Sequence, residues 1–304
     1  MGYFDIQVNG YGGVDFNQDD LSGDDLHQAC ARLQADGTDG ILATIVTEEV
    51  EKMIARIGRI ADLRERDPLI REVVAGIHIE GPFINPRNGF RGAHPDDSIR
   101  LGNEDVAARL LEAGRGLVQL FTLAPEADPG LQVTRLMHKN GIVIAAGHTD
   151  ATIDQLRAAI DAGLTMMTHL GNGCPMTLAR HDNIIQRALF LREHLWLSFI
   201  ADGVHIPFPA LRNYLDLAAA GGRALITTDA MAAAGLGPGT HRISRWTVLV
   251  KEDLAAWAPD GSHLLGSAMP MPAVVKNLRE HLGFDEARIE QLTSTCPREA
   301  VGLL

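Results

Sequence analysis

The chain has 304 residues, 46% of them hydrophobic and 22% charged, with a formal net charge of −12. That length holds one large barrel or two ordinary domains, and the acidic balance argues against broad nucleic-acid or anionic-membrane surfaces. No apolar run reaches the roughly 20 residues of a membrane helix, the start MGYFDIQVNG lacks a signal-peptide pattern, and Cys30, Cys174 and Cys296 are too scattered for a disulfide framework or a C-x-x-C pair, so a soluble cytoplasmic enzyme is expected.

In chain order, short apolar runs alternate with amphipathic stretches. The strand-like runs are Asp5–Tyr11, Gly40–Thr47, Val73–Gly81, Leu117–Glu126, Gly141–Thr149, Thr165–Asn172, His194–Gly203 and Ala224–Ala230. Several are rich in Val, Ile and Leu on both faces, as a parallel sheet covered on both sides requires. Between them lie helix patterns with start signals. Ser22-Gly23-Asp24-Asp25 precedes Leu26, Cys30 and Leu33; Thr47-Glu48-Glu49 precedes Met53, Ile54, Ile57 and Ile60; Thr152-Ile153-Asp154-Gln155 precedes Leu156, Ala159 and Ile160. Eight βα alternations predict an α/β fold, a (β/α)8 TIM barrel filling residues 1–304 as a single catalytic domain, with its catalytic groups at the C-terminal strand ends.

Two stretches exceed a minimal barrel. Residues 240–267 contain a β-like run, Ile243–Val250, and a turn signal, Pro259-Asp260-Gly261-Ser262, before His263-Leu264-Leu265, which predicts a strand-rich insertion after strand eight, near the mouth. The tail from Met271 to Leu304 is helical in pattern, with Pro297 at a first helical turn.

The polar residues gather at the strand ends. Strand three runs into His78-Ile79-Glu80-Gly81-Pro82, and the loop beyond it carries His94. Strand five ends in Gly147-His148-Thr149-Asp150, strand six in His169-Leu170-Gly171-Asn172, strand seven in Asp202-Gly203-Val204-His205, and strand eight in Thr227-Thr228-Asp229. A single strand-end histidine is more often a hydrogen-bonded structural imidazole. Several strands ending this way in one barrel point to a site. Glu80, His148 and His169 make an open set of one oxygen and two nitrogen ligands suited to zinc, with iron(II) or manganese(II) as substitutes. Asp229 is the candidate acid and base, its alternative being a residue that merely orients a ligand.

Motifs that span nearly the whole chain carry a family resemblance: Asp5-Ile6-Gln7-Val8-Asn9-Gly10, His78-Ile79-Glu80-Gly81-Pro82, Gly92-Ala93-His94, Leu123-Ala124-Pro125-Glu126, Gly147-His148, His169-Leu170-Gly171-Asn172, Asp202-Gly203-Val204-His205, Thr228-Asp229-Ala230 and Gly266-Ser267. In this order they resemble the N-acetylglucosamine-6-phosphate deacetylases of the amidohydrolase superfamily. The resemblance implies that Glu80, His148 and His169 bind the metal, that Asp229 is the catalytic carboxylate, and that His94 polarises the amide carbonyl. It places Asn172 and Gly173 at the sugar phosphate, His205 at the sugar, and Ala93, Leu265, Gly266 and Ser267 at further substrate contacts. Gln7-Val8-Asn9 stands where two-metal relatives carry H-x-H, which implies one metal ion. The resemblance also implies a homodimer and an amino-sugar substrate, with no nucleic-acid or membrane partner.

Some features depart from the family. Its small β-sandwich domain, built from both chain ends, is expected to be missing. Arg180 keeps the spacing of the phosphate-contacting arginine, eleven residues past His169, but Leu178-Ala179-Arg180-His181-Asp182 replaces the usual Gly-Arg-Glu-Pro-Gly setting, and Asn172-Gly173-Cys174 replaces Asn-Ala-Met. Two further readings therefore stand beside removal of acetyl from N-acetylglucosamine-6-phosphate. One is a related hydrolase acting on an unphosphorylated amino sugar or another N-acyl or cyclic amide. The other is a barrel that binds without catalysis, against which the complete set of Glu80, His94, His148, His169 and Asp229 argues.

Overall fold

In the computed structural model, which describes residues 2–219, 221–243, 246–261 and 264–304, eight strands pair side by side in chain order. They are β1 (Tyr3–Val8), β2 (Thr38–Val46), β3 (Val74–Glu80), β4 (Val118–Leu123), β5 (Val143–Ala146), β6 (Met166–Met167), β7 (Trp196–Ile200) and β8 (Ala224–Thr227). Every neighbouring pair is parallel. Helices lie between successive strands, including Gly23–Ala35, Val50–Arg66, Glu104–Ala113, Gln132–Lys139, Ile153–Asp161, Ile184–Phe190 and Phe208–Ala219. This is the expected (β/α)8 architecture, and among the described residues no helix is long and apolar enough to cross a membrane.

Sheet closure between β1 and β8 is made mostly by side chains. One parallel bridge joins Val8, the last residue of β1, to Ala230 beyond β8, and the Asn9 N–H donates to the Ala230 carbonyl oxygen at 2.7 Å. Below it the buried Asp5 carboxylate accepts from Thr227 Oγ1 at 2.5 Å, Thr228 Oγ1 at 2.5 Å, the Thr228 backbone N–H at 3.1 Å and the Gln7 N–H at 3.2 Å. Burial pushes the Asp5 pKa up even against those bonds.

Two of the expected helix starts are capping boxes. Ser22 pairs with Asp25, and Thr152 with Gln155, each cap being worth about 1 kcal/mol. The third differs. Thr47 caps nothing, because its hydroxyl donates to the Glu80 carbonyl oxygen at 3.2 Å, and the helix opens at Glu49 without a side-chain cap. Strands five and six are also shorter than their apolar runs suggest. The backbone leaves the sheet once β5 has passed Ala146 and β6 has passed Met167. The residues that follow turn inward at the mouth.

Residues 239–267 fold as a four-stranded antiparallel sheet: Gly239–Ile243, Trp246–Val250, Ala255–Trp257 and Leu264–Ser267. The run expected as one strand, Ile243–Val250, is divided between two of them. Ser262 and His263, at the end of the expected turn, lie outside the described residues. Ser267 bridges Ala230, so this sheet abuts the segment leaving β8.

Inside the barrel the N-terminal layer is apolar: Phe4, Ile6, Leu42, Leu120, Ala145, Met166 and Leu225 pack with Cys296 and Ala300 of the last helix and with Val301 just after it. Pro297 is in the first turn of that helix, Cys296–Ala300, which continues directly from a π-helical turn, Gln291–Thr295. Ser294 Oγ and Arg298 Nη1 donate to the Gly2 carbonyl oxygen at 2.8 and 3.2 Å, tying the tail to the start of β1. Above the apolar layer, fully buried His78 bonds Thr122 Oγ1 at 2.8 Å through Nε2, and Thr122 bonds Thr168 at 2.7 Å. With the N-terminal end plugged, the opposite end holds the polar residues.

Candidate active site

Glu80 is the last residue of β3 and points into the barrel with His78. His148 follows β5 directly after Gly147, His169 lies two residues past β6, and Asp229 two residues past β8. The backbones of His148, His169 and Asp229 are all left-handed, with φ of 51°, 31° and 49°. For residues with a β-carbon that conformation costs about 1–2 kcal/mol each, so something must hold it. At His169 its N–H donates to Ser198 Oγ at 2.7 Å. At Asp229 the Thr228 hydroxyl accepts from the Ala230 N–H at 3.1 Å while donating to Asp5.

These turns bring Glu80, His148 and His169 together. Glu80 Oε1 lies 3.1 Å from His148 Nε2 and 2.9 Å from His169 Nε2, and all three side chains are buried. His148 Nδ1 faces the Phe90 carbonyl oxygen at 2.8 Å and must donate to it, which turns Nε2 towards the Glu80 carboxylate oxygen, where a bare lone pair would face a second acceptor. Two acceptors that close require a positive charge between them. Burial alone would raise the Glu80 pKa, but the bonds and charges of His148 and His169 hold it well below the carboxylate range. Burial opposes protonation of His169, yet the Glu80 bond and charge raise its pKa. A proton here occupies the place a cation would take. The residues fit a metal ion: one oxygen and two nitrogens, buried, one imidazole already oriented by a carbonyl, as metal-binding histidines are.

His94 is buried beside this group, its Nε2 3.2 Å from His148 Nε2, with Nδ1 unpartnered among the described residues. Burial, then the charge of His148, push its pKa down to about 3, so it is neutral near pH 7. Asp229 Oδ1 accepts from Asn9 Nδ2 at 2.8 Å. Burial and the nearby Glu80 charge push the Asp229 pKa up to about 6, against the lowering influence of His169 and Asn9.

Around this centre the substrate-side residues divide. His205 Nδ1 is 2.5 Å from Asp202 Oδ2, which outweighs burial and raises the His205 pKa. Asn172 presents a buried Nδ2 without a partner among the described residues, and Gly173 packs so near that a β-carbon there would meet His148 Nδ1 at 3.0 Å. Leu265, Gly266 and Ser267 form the strand beside Asp229, the Met231 N–H donating to the Ser267 carbonyl oxygen at 2.9 Å. Ala93 is exposed at the mouth. Arg180 is exposed on the loop after β6 and makes no hydrogen bond or ion pair among the described residues. Two partners were missed from sequence: Asn9 on Asp229, which only the polar pair Gln7-x-Asn9 at the end of β1 could have signalled, and Asp202 under His205.

A buried Glu-His-His set with an adjacent carboxylate, at the C-terminal end of a (β/α)8 barrel, defines a metal-dependent hydrolase of the amidohydrolase type. No family model matches the chain, but individual proteins do. It is 30% identical to N-acetylglucosamine-6-phosphate deacetylase of Bacillus subtilis over 99% of its own length and 75% of that protein's. It is also 30% identical to N-acetylgalactosamine-6-phosphate deacetylase of Escherichia coli O157:H7, over 99% and 77%. The crystal structure of N-acetyl-D-glucosamine-6-phosphate deacetylase from Mycobacterium smegmatis superposes with a TM-score of 0.88 at 30% identity, over 99% of this chain and 78% of that one; a mutant of that enzyme has been solved in complex with N-acetyl-D-glucosamine-6-phosphate. The chain belongs to the N-acetylglucosamine-6-phosphate deacetylase family.

Proposed function

We propose that this protein hydrolyses the acetamide of N-acetylglucosamine-6-phosphate, giving the free amine and acetate. The convergence of Glu80, His148 and His169 next to Asp229 carries the reading. Glu80, His148 and His169 would hold one divalent ion, zinc in this reading, which supplies Lewis acidity and acidifies water. Asp229, steadied on one oxygen by Asn9, takes the proton of the attacking water and returns it to the leaving amine. A carboxylate with a raised pKa suits both transfers. Neutral His94 donates a hydrogen bond to the carbonyl oxygen as charge develops there. His205, held by Asp202, faces the sugar together with Asn172, Gly173, Ala93 and Leu265–Ser267.

Residues 1–304 work in this reading as one catalytic barrel, with the 240–267 insertion braced on Ala230. The unit is a homodimer, in which exposed Arg180 is available to a neighbouring subunit, and its setting is the cytoplasm, compatible with three free thiols.

The test is acetate release by zinc-loaded protein. N-acetylglucosamine-6-phosphate is expected to turn over faster than its unphosphorylated counterpart. Equal rates would remove the phosphate role of Arg180 and the Asn172 loop, and no release from either would sink the proposal. The equal 30% identity to a relative named N-acetylgalactosamine-6-phosphate deacetylase favours one second reading, the 4-epimer, so N-acetylgalactosamine-6-phosphate belongs in the same assay.

A further inference from the structure

The loop after β4 carries a carboxylate that neither the candidate metal set nor Asp229 uses. Glu126 Oε1 accepts from Asn85 Nδ2 at 2.8 Å and from the Asp150 N–H at 2.6 Å, and its Oε2 accepts from Thr149 Oγ1 at 2.5 Å. Thr149 and Asp150 follow His148 directly. Asn85 reaches His148 from the other side, its own N–H donating to the His148 carbonyl oxygen at 3.0 Å. Among the described residues no cation pairs with Glu126, so hydrogen-bond donors alone carry its charge.

The three bonds meet where they have most effect. They join the loop after β3 to the turn after β5 at a residue whose φ is 51°. The same β3 loop supplies the Phe90 carbonyl oxygen that orients the His148 ring. Backbone and ring of His148 therefore both depend on the junction Glu126 holds. We infer that Glu126 is a positioning residue for His148: its carboxylate latches the β3 loop onto the β5 turn and thereby keeps His148 Nε2 beside Glu80 Oε1.

The inference rests on the reading of His148 as a metal ligand, and the experiment separates the two. Metal-free parent, His148→Ala, Glu126→Ala and Glu126→Gln are titrated with zinc against a chromophoric chelator, and each metal-free protein is melted. Glu126→Ala should bind zinc about 10–100-fold more weakly, the usual effect of removing a group that orients a ligand. Glu126→Gln keeps an oxygen for Asn85 and Asp150 and can donate to Thr149 Oγ1, so it should recover most of the affinity. A merely structural residue would lower the melting temperature and leave zinc affinity at the parental value, and that result would overturn the latch. If Glu126→Ala does not fold, Thr149→Val removes one of the three donors without changing shape. Binding about 3-fold weaker or more then supports the latch, and parental binding overturns it. A parent that binds no zinc, or a His148→Ala variant that binds as the parent does, refutes the ligand reading itself, whatever Glu126 does.

Discussion

Asp229 and His78 show how one mouth sets two buried groups to different tasks. Burial, and then the nearby Glu80 charge, raise the Asp229 pKa to about 6, yet Asp229 keeps Asn9 as a donor. Asp229→Asn retains the shape and removes the proton acceptor, so kcat should fall about 10²–10⁴-fold with zinc stoichiometry unchanged. Near-normal turnover would remove the assignment. His78 sits lower, where burial brings its pKa from the ordinary 6.5 to about 4. The folded state then holds a proton less readily than the unfolded chain. The stability this contributes is present above pH 6.5 and is lost as the pH falls towards 4. Between pH 7 and 5 the loss is about 2 kcal/mol, and urea denaturation of metal-free His78→Gln should show a correspondingly flatter pH dependence than the parent. Asp229, like Glu80, His148 and His169, was legible because it ends an apolar run, whereas His78 stands inside a motif that assigns it no role. Their partners were not: Asn9 meets Asp229, and Glu126 meets Thr149, only after distant strands close into a barrel, and no local spacing encodes that. Arg180 illustrates the converse: its spacing from His169 was readable, but it makes no hydrogen bond or ion pair among the described residues.

At the scale of elements, the eight strands were readable because a buried parallel sheet leaves apolar runs in the sequence. Their ends were not. Apolar and polar composition continues through Gly147-His148 and Thr168-His169 while the backbone has already left the sheet, since left-handed turns leave no periodicity. Gly147 marks such an exit. A β-carbon there would lie 2.6 Å from Thr122 Cγ2 and 3.1 Å from Thr168 Cβ, inside the barrel. Gly147→Ala should therefore cost about 1–3 kcal/mol through overpacking, measured by urea denaturation, whereas a neutral result would show that β4 and β6 can part to admit a methyl group. Helix starts followed simpler rules. Ser22 and Thr152 cap as their spacing predicts, and Thr47 fails because β3 offers its hydroxyl a buried carbonyl instead.

For the whole molecule, one carboxylate reinforces the closure that the Val8–Ala230 bridge makes. Asp5 serves four donors on β1 and β8, and Thr228 passes that restraint on to Asp229. Asp5→Ala leaves buried donors unpaired at about 1–3 kcal/mol each. A loss of about 3 kcal/mol or more in urea denaturation is expected, with kcat reduced more than zinc affinity. The opposite end of the barrel has a practical bearing. Because Ser294 and Arg298 grip the Gly2 carbonyl there, the last helical segment is fastened to the start of β1 on the face away from Glu80 and Asp229. A tether attached to an exposed side chain on that face would hold the immobilised enzyme with its mouth to the solution.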